Sequence, residues 1–149
     1  MNDKSKIKVI GTNRKANFQY EILNRYEAGL VLLGTEVKSL REAKVNLQDA
    51  YARFFNNELW LMNSHISEFK FGNINNHDPV RKRKLLFNKR ELKKIRAQLE
   101  EKGLTMVPTK IYFKDSLVKI EMAIARGKKM YDKRQSIKQR ETERKLKRI

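Results

Sequence analysis

The densest chemical signal in this sequence is a run of four consecutive cations, a pattern typical of contact with phosphates. The run consists of Arg81, Lys82, Arg83 and Lys84, and the apolar residues 85–87 follow it. Such a strip would bind a nucleic-acid backbone largely through counterion release, while the apolar triplet anchors it to the protein or offers a surface to a base. The alternative is a plain solvated face, which is the commoner role of a short basic run taken alone.

Residues that could support catalysis or hold a metal are few. The chain has no cysteine, which excludes disulfides, thiolate metal sites and cysteine nucleophiles. Its two histidines, His65 and His77, are twelve positions apart and do not have zinc-ligand spacing. His77-Asp78-Pro79 is typical of a turn, and the segment at Gly11 lacks the second glycine and the ending of a phosphate-binding loop. We therefore expect a binding protein with no catalytic residue, metal or cofactor.

The overall charge identifies the class of partner. The 149 residues include 35 Lys and Arg against 17 Asp and Glu, a net charge of +18. Such an imbalance favours an anionic partner, either nucleic acid or an acidic membrane surface. No signal peptide or stretch of about 18 apolar residues is present, so we expect a soluble cytoplasmic protein. The charge alone would also fit a general basic ribosomal or structural nucleic-acid-binding protein.

The distribution of charge divides the chain into two parts. Residues 126–149 contain eleven Lys and Arg against three acids, with few large apolar side chains. So little apolar surface cannot offset ordering costs of roughly 1–2 kcal/mol per residue. We predict a folded body at 1–125 and a basic tail at 126–149 that is disordered in isolation. The tail has too little apolar area to insert into a membrane.

Alternating patterns in the body predict two hairpins. The segment 110–114 alternates, and Val118, Ile120, Met122 and Ile124 repeat the pattern after a turn at 115–116. A second pair runs from 51–55 to 58–62 and turns at two asparagines, which tolerate positive φ. The segment 18–26 is a further predicted strand, whereas 29–40 is ambiguous between strand and helix.

One helix is clearly predicted after the basic run. Asn88 can cap it and Glu91 stands three positions on, as in a capping box. Leu92, Ile95 and Leu99 follow at helical spacing, and Gly103 suits the end of the helix. Short strands with a connecting helix indicate a small β-barrel with helical additions.

The aromatic residues divide into packing candidates and stacking candidates. Phe55, Trp60 and Phe113 are expected in the core or on a packed sheet face. Exposed tyrosines could stack on bases, as on other β-barrel RNA-binding modules. The candidates are Tyr20, Tyr26 and Tyr112.

Taken in order, several segments make the chain resemble the bacterial SsrA-binding protein family, also called small protein B. The matching segments are Asn13-Arg14-Lys15-Ala16, Tyr26-Glu27-Ala28-Gly29, Gly34-Thr35-Glu36-Val37-Lys38-Ser39-Leu40-Arg41, Asn46-Leu47-Gln48-Asp49-Ala50-Tyr51, His77-Asp78-Pro79, Arg83-Lys84-Leu85-Leu86 and Gly127-Lys128-Lys129-Met130-Tyr131-Asp132-Lys133-Arg134. The set spans nearly the whole chain. The chain departs from the residues common in the family at two places. A glycine often occurs at 42–44, and many members have Leu at the position of Phe87.

The resemblance implies a mainly β fold, a closed β-barrel of the oligonucleotide-binding kind with accessory helices. It also implies an adaptor that binds the tRNA-like part of transfer-messenger RNA and accompanies it to stalled ribosomes. The tail is expected to become helical in the vacant messenger channel of the small subunit. Alanyl-tRNA synthetase and elongation factor Tu act in the same pathway. We expect a monomer without a membrane partner.

Candidate RNA-binding residues follow from matching this chain to the family. The cluster associated with transfer-messenger RNA falls on Glu27, Leu86 and Lys119. Lys119 would contact a phosphate, Glu27 would hold its ammonium group, and Leu86 would pack on an unstacked base. The further RNA-binding candidates are Asn13, Arg14, Lys15, Glu36, Lys38, Arg41, Arg81, Lys82, Arg83 and Lys84. Glu36 and its neighbours in the central signature could instead brace the barrel.

The tail motif supplies the candidates for ribosome contact. Tyr131 takes an aromatic position that could stack in the decoding centre. The remaining candidates are Gly127, Lys128, Lys129, Asp132, Lys133, Arg134, Lys138, Arg140, Arg144 and Lys145.

Overall fold

The computed structural model describes residues 6–71 and 76–128, and its architecture is mainly β, as predicted. Nine strands and three helices follow one another along the chain. In order they are β1 (Ile7–Thr12), α1 (Arg14–Gln19), β2 (Tyr20–Leu30), α2 (Gly34–Arg41), β3 (Val45–Asn46), β4 (Tyr51–Phe55), β5 (Glu58–Met62), β6 (His65–Ile66), β7 (Arg83–Leu86), α3 (Lys89–Glu100), β8 (Leu104–Lys114) and β9 (Leu117–Gly127).

Seven strands form one antiparallel sheet in the order β1-β8-β9-β2-β7-β5-β4, and β3 pairs with β6. The sheet wraps around a single main core, because the buried side chains of distant strands pack in one cluster. The cluster includes Ala28, Leu59, Leu61, Leu85, Ile111, Ile120 and Met122, together with Leu40 of α2 and Ile95 of α3.

The prediction of a closed barrel is wrong for the described residues. The end strands β1 and β4 do not pair with each other there, so the seven-stranded sheet is open. Beside β1 the chain places the small β3–β6 pair: a Cβ built on Gly11 would stand 3.0 Å from Val45 Cγ1. The Val45 side chain thus packs closely against the backbone of β1 at Gly11.

Both predicted hairpins are confirmed. The β4–β5 turn has Asn56 and Asn57 at φ values of 48° and 66°, and the β8–β9 turn has Asp115 at 56°. The strands of the second hairpin are longer than predicted. Strand β8 continues on both sides of Pro108 because a register shift between Pro108 and Lys110 relieves the ladder there.

Two other segments differ from the predicted strand pattern. The strand predicted at 18–26 begins only at Tyr20, since residues 14–19 form α1, whose Ala16 packs with Val107 and Ala125. The ambiguous segment 29–40 divides between two elements. Its first residues end β2 and its last form most of α2.

Helix α3 confirms its predicted start. The Asn88 side chain accepts a hydrogen bond from the Glu91 backbone amide at 2.8 Å, and Glu91 accepts one from the Asn88 amide at 3.4 Å. Ile95 is fully buried in the core. Gly103, at a φ of 87°, lies three residues beyond the helix end.

The folded body extends slightly past the predicted boundary at residue 125. Strand β9 continues to Gly127, which pairs with Tyr20, and the Lys128 amide donates to the Gln19 carbonyl at 3.0 Å. The rest of the predicted tail lies outside the described residues. So do its candidate contacts Lys129, Tyr131, Asp132, Lys133, Arg134, Lys138, Arg140, Arg144 and Lys145.

Candidate nucleic-acid interface

Strand β7 divides the basic run between the two faces of the sheet. Successive side chains of a strand point to opposite faces. Accordingly Arg83 and Leu85 are buried, whereas Lys84 is half-buried and Leu86 is 47% exposed. Lys82, just before the strand, is exposed. The run is therefore not one continuous phosphate-binding strip.

The inward part of the run forms a buried ion-pair network with Glu36 of α2. Arg83 donates from Nε to Glu36 Oε2 at 2.5 Å, and both side chains are fully buried. Arg81 donates from Nε to the same oxygen at 3.0 Å and from Nη2 to Glu36 Oε1. The Leu33 amide donates to Glu36 Oε1 at 2.7 Å. Every oxygen of this carboxylate is therefore held by at least two donors.

Arg83 uses its remaining donors within the protein. Its Nη1 donates to both the carbonyl and the hydroxyl of Ser64 at 2.9 Å, and its Nη2 donates to the Pro79 carbonyl at 3.1 Å. The burial of both side chains favours the bracing alternative for Glu36 and gives Arg83 a structural role, while their RNA contacts remain predictions. Arg81, committed to Glu36, is half-buried.

The network sets the pKa of both partners. Burial by itself would raise the pKa of Glu36, but hydrogen bonds from Arg81, the Leu33 amide and Arg83 lower it below its ordinary value. Burial lowers the pKa of Arg83, and the Glu36 carboxylate opposes that shift. The lowered pKa keeps the Glu36 carboxylate charged at neutral pH.

The predicted turn at residues 77–79 is confirmed and joins the same region. Asp78 Oδ1 accepts a hydrogen bond from the Val80 amide at 3.0 Å. His77 is buried, with Nε2 2.8 Å from the Ile66 carbonyl oxygen and Nδ1 2.9 Å from the Thr35 hydroxyl. These distances give the ring a structural role in fastening α2 to the β6 region.

On the outer face of the sheet, three strands bring together the predicted cluster. Leu86 lies opposite Gly29 in the β2–β7 ladder, and Gly29 lies opposite Lys119 in the β2–β9 ladder. A Cβ on Gly29 would stand 3.3 Å from Leu86 Cβ, so the glycine permits close approach. The exposed side chain of Leu86 and the half-buried side chain of Lys119 therefore lie on either side of Gly29, which has no side chain of its own.

Glu27 has a different partner from the one predicted. It shares the outer face with Lys119, but the ammonium group of Lys114 lies 3.5 Å from its Oε1. Tyr112 donates its hydroxyl hydrogen to Glu27 Oε2. Burial, that hydrogen bond and the nearby carboxylates raise the pKa of Tyr112 well above its usual value. Glu27 therefore orients a tyrosine and a lysine beside the cluster.

Of the three predicted stacking tyrosines, Tyr112 is buried, and Tyr20 and Tyr26 are half-buried. Tyr112 is 5% exposed, and Tyr26 donates its hydroxyl hydrogen to Gln98 Oε1 at 2.8 Å and packs edge-on against Phe87. Burial, followed by the charge of Glu91, raises the pKa of Tyr26. Tyr20 packs against the small cluster at Ala16.

The remaining residues predicted to contact RNA differ in how exposed they are. Asn13 is buried and donates from Nδ2 to the Pro108 carbonyl at 2.9 Å and the Leu47 carbonyl at 3.2 Å. This placement favours a structural role for Asn13, and its RNA contact remains a prediction. Lys15 lies 3.8 Å from Asp49. The exposed candidates are Arg14, Lys38 and Arg41.

Neither a metal site nor a membrane-spanning helix is found in residues 6–71 and 76–128. No three His, Asp or Glu side chains there are grouped as metal ligands. No helix in these ranges is long and apolar enough to cross a bilayer.

Comparison with known proteins places this arrangement in context. The family model described as SmpB protein matches residues 10–149. An SsrA-binding protein of Thermosynechococcus vestitus is 57% identical over 143 residues, which cover 95% of this chain and 94% of that protein. An SsrA-binding protein of Limosilactobacillus fermentum is 52% identical, and the match covers 95% of this chain and 90% of that protein.

A solved structure also matches the fold. It is described as "tmRNA-SmpB: a journey to the center of the bacterial ribosome" and superposes with a TM-score of 0.69 at 50% identity. The match covers 80% of this chain and 85% of the other.

Proposed function

The chain belongs to the SmpB protein family, and we propose that it is the RNA-binding adaptor of trans-translation. In this role it binds the tRNA-like part of transfer-messenger RNA and delivers it to ribosomes that lack a usable stop codon. The ribosome is then rescued and the unfinished peptide is tagged for degradation. The chain contributes binding and performs no bond chemistry itself.

The observation that carries the proposal is the outer-face cluster of Leu86, Gly29 and Lys119. Leu86 keeps 47% of its surface exposed on a strand with neighbours on both sides, and the ladders place it beside Gly29 and, across Gly29, Lys119. A base taken out of its stack can rest on such a side chain, while Lys119 neutralises the adjacent phosphate. Glu27 contributes indirectly by positioning Lys114 beside them.

The second part of the proposal concerns the tail. Residues 129–149 contain nine Lys and Arg against three acids. Gly127 is still in the sheet and Lys128 is bonded to Gln19, so the body ends in a fixed place from which this basic segment starts. We assign it to the decoding site and messenger channel of the small subunit, where negative rRNA surrounds any occupant. The predicted gain of helix there belongs to the same proposal.

Several finer expectations remain part of this proposal. They are action alongside alanyl-tRNA synthetase and elongation factor Tu, a monomeric state, cytoplasmic location and a barrel of the oligonucleotide-binding kind. They are supported by the family membership of the chain. The open sheet described above limits the last of them to an incomplete barrel.

Sequencing the RNA that copurifies with the full chain tests the proposal. An adaptor should retain one dominant structured RNA that combines tRNA-like and messenger parts, at near-physiological salt. A general basic protein should retain a broad mixture, because counterion release alone does not distinguish sequences. A broad mixture would therefore overturn the proposal and favour the generalist.

A further inference from the structure

A second group of cations and rings lies on the outer face of the sheet, beyond the Leu86 cluster. Arg53 of β4 is opposite Trp60 of β5, and Trp60 is opposite Lys84 of β7. Phe55, two residues after Arg53, faces the same side. We call these residues, together with Lys82, the aromatic–cation patch.

The rings of the patch hold two of its cations in place. Lys82 Nζ lies 4.9 Å from the Phe55 ring centroid and 4.7 Å from the Trp60 centroid. Arg53 Cζ lies 5.0 Å from the Phe55 centroid. The negative face of an aromatic ring attracts such a cation. Arg53 and Lys82 are nevertheless exposed, so their charges face solvent from preferred positions.

The patch also has an excess of positive charge, since Lys84 is the one cation of the patch that pairs with a carboxylate among residues 6–71 and 76–128. Lys84 lies 3.2 Å from Glu58. In the part of the chain that the structure describes, neither Arg53 nor Lys82 forms an ion pair with a carboxylate. An exposed guanidinium and an exposed ammonium group held on rings fit an anion better than an apolar partner.

We propose that the aromatic–cation patch is a second contact site for the RNA backbone, with Arg53 and Lys82 binding phosphates and Phe55 and Trp60 positioning them. This inference rests on the proposed function. It retains Lys82, which the sequence had indicated as an RNA contact, and extends that function to Arg53 and to two rings, Phe55 and Trp60, that were expected in the core or on a packed sheet face. The patch adjoins the first site because Lys84 and Leu86 are outward neighbours on β7. One RNA molecule lying along this face can therefore cover both sites.

Trp60 gives the experiment its own probe, since it is the single tryptophan of the chain. Purified full-length protein is titrated with transfer-messenger RNA while Trp60 emission is followed. RNA at the patch should produce a saturable change in emission, because the ring's charged neighbour and its solvent exposure change together. Replacing both Arg53 and Lys82 by Ala should weaken binding and reduce the logarithmic salt slope by about 1.8, since each phosphate that the protein no longer neutralises lowers the slope by about 0.9.

Matched variants separate positioning from bulk charge. Lys93→Ala removes an exposed cation from helix α3 and should leave the slope unchanged. Trp60→Phe, which keeps a ring under Lys82, should bind RNA better than Trp60→Leu. Equal affinities of these two variants, at equal stability to urea, would overturn the positioning role.

The outcomes also distinguish this inference from the proposed function. If the wild type does not bind transfer-messenger RNA, the proposed function fails and the patch with it. A second outcome is that the wild type binds the RNA and Lys119→Ala weakens that binding. If the double variant at Arg53 and Lys82 then keeps the wild-type salt slope, only the inference about the aromatic–cation patch is overturned. If the double variant kept its RNA affinity but lost binding to a protein, the assignment of the patch to RNA would also be overturned.

Discussion

Glu36 and Arg83 form an ion pair in which neither side chain is exposed, although 47 positions separate them in the sequence. The pair joins helix α2 to strand β7 and also fixes Arg81, Ser64 and the turn at Pro79. Since β7 presents Leu86 and Lys84 on its opposite face, the pair sets the position of the strand on which the candidate interface depends.

Breaking this pair should strongly destabilise the fold. Glu36→Gln leaves two guanidinium groups without a carboxylate, one of them fully buried, and removal of one partner of a buried pair typically costs about 3–5 kcal/mol. Urea denaturation gives the free energy of unfolding. Glu42→Gln, which removes only an exposed ion pair with Lys44, should change it by less than about 0.5 kcal/mol. Similar destabilisation of both variants would contradict the role of the pair.

The Glu36 carboxylate should also make the free energy of unfolding depend on pH. The pKa of Glu36 is lower in the folded state than in the unfolded chain. Its stabilising contribution is therefore present above the unfolded pKa and is lost as pH falls through the folded pKa. Urea midpoints measured from neutral pH to about pH 3 should show the wild type approaching Glu36→Gln on the acid side. A constant gap between the two proteins would count against this assignment.

Asn13 should act on stability and not directly on RNA. Its amide donates to the carbonyls of Leu47 and Pro108 from a buried position, so Asn13→Ala should cost about 1–3 kcal/mol by leaving buried acceptors unsatisfied. Asn13→Asp should be worse, because a carboxylate cannot donate. Thermal unfolding measures both, with exposed Asn17→Ala as the control. Unaltered stability with weakened RNA binding would restore Asn13 as a direct contact.

Lys119 and Leu86 should separate the charged and apolar parts of RNA binding. Lys119→Ala should weaken the RNA complex and lower its logarithmic salt slope by about 0.9, because one fewer counterion is released. Leu86→Ala should weaken the complex with the slope unchanged, since it removes apolar contact only. Binding isotherms at several salt concentrations distinguish the two effects. An unchanged slope for Lys119→Ala would argue against a phosphate contact.

The tail should be dispensable for RNA affinity but not for rescue. Deletion of 129–149 leaves the β9 pairing of Gly127 and the Lys128 hydrogen bond intact. We expect RNA affinity close to that of the full chain and no peptide tagging in a reconstituted translation assay. If the truncated chain no longer bound the RNA, the division into two surfaces would be wrong.

Local patterns determined much of the fold. Alternation over residues 51–62 and 110–124 predicted both hairpins, because strand pairing across a short turn depends only on neighbouring residues. The cap formed by Asn88 and Glu91 is likewise complete within four residues. The net charge of +18 and the order of the family segments indicated an RNA partner without any knowledge of the fold.

The tertiary structure alone decided which charged and aromatic residues are available for binding. Arg83 and Lys84 are adjacent and chemically similar, yet one is buried on Glu36 and the other faces outward. Likewise Trp60, expected in packing, faces outward, whereas Tyr112, expected to stack, is buried against Glu27. The sequence could not separate these cases, because strand register and the partners of a side chain are set by segments tens of residues away.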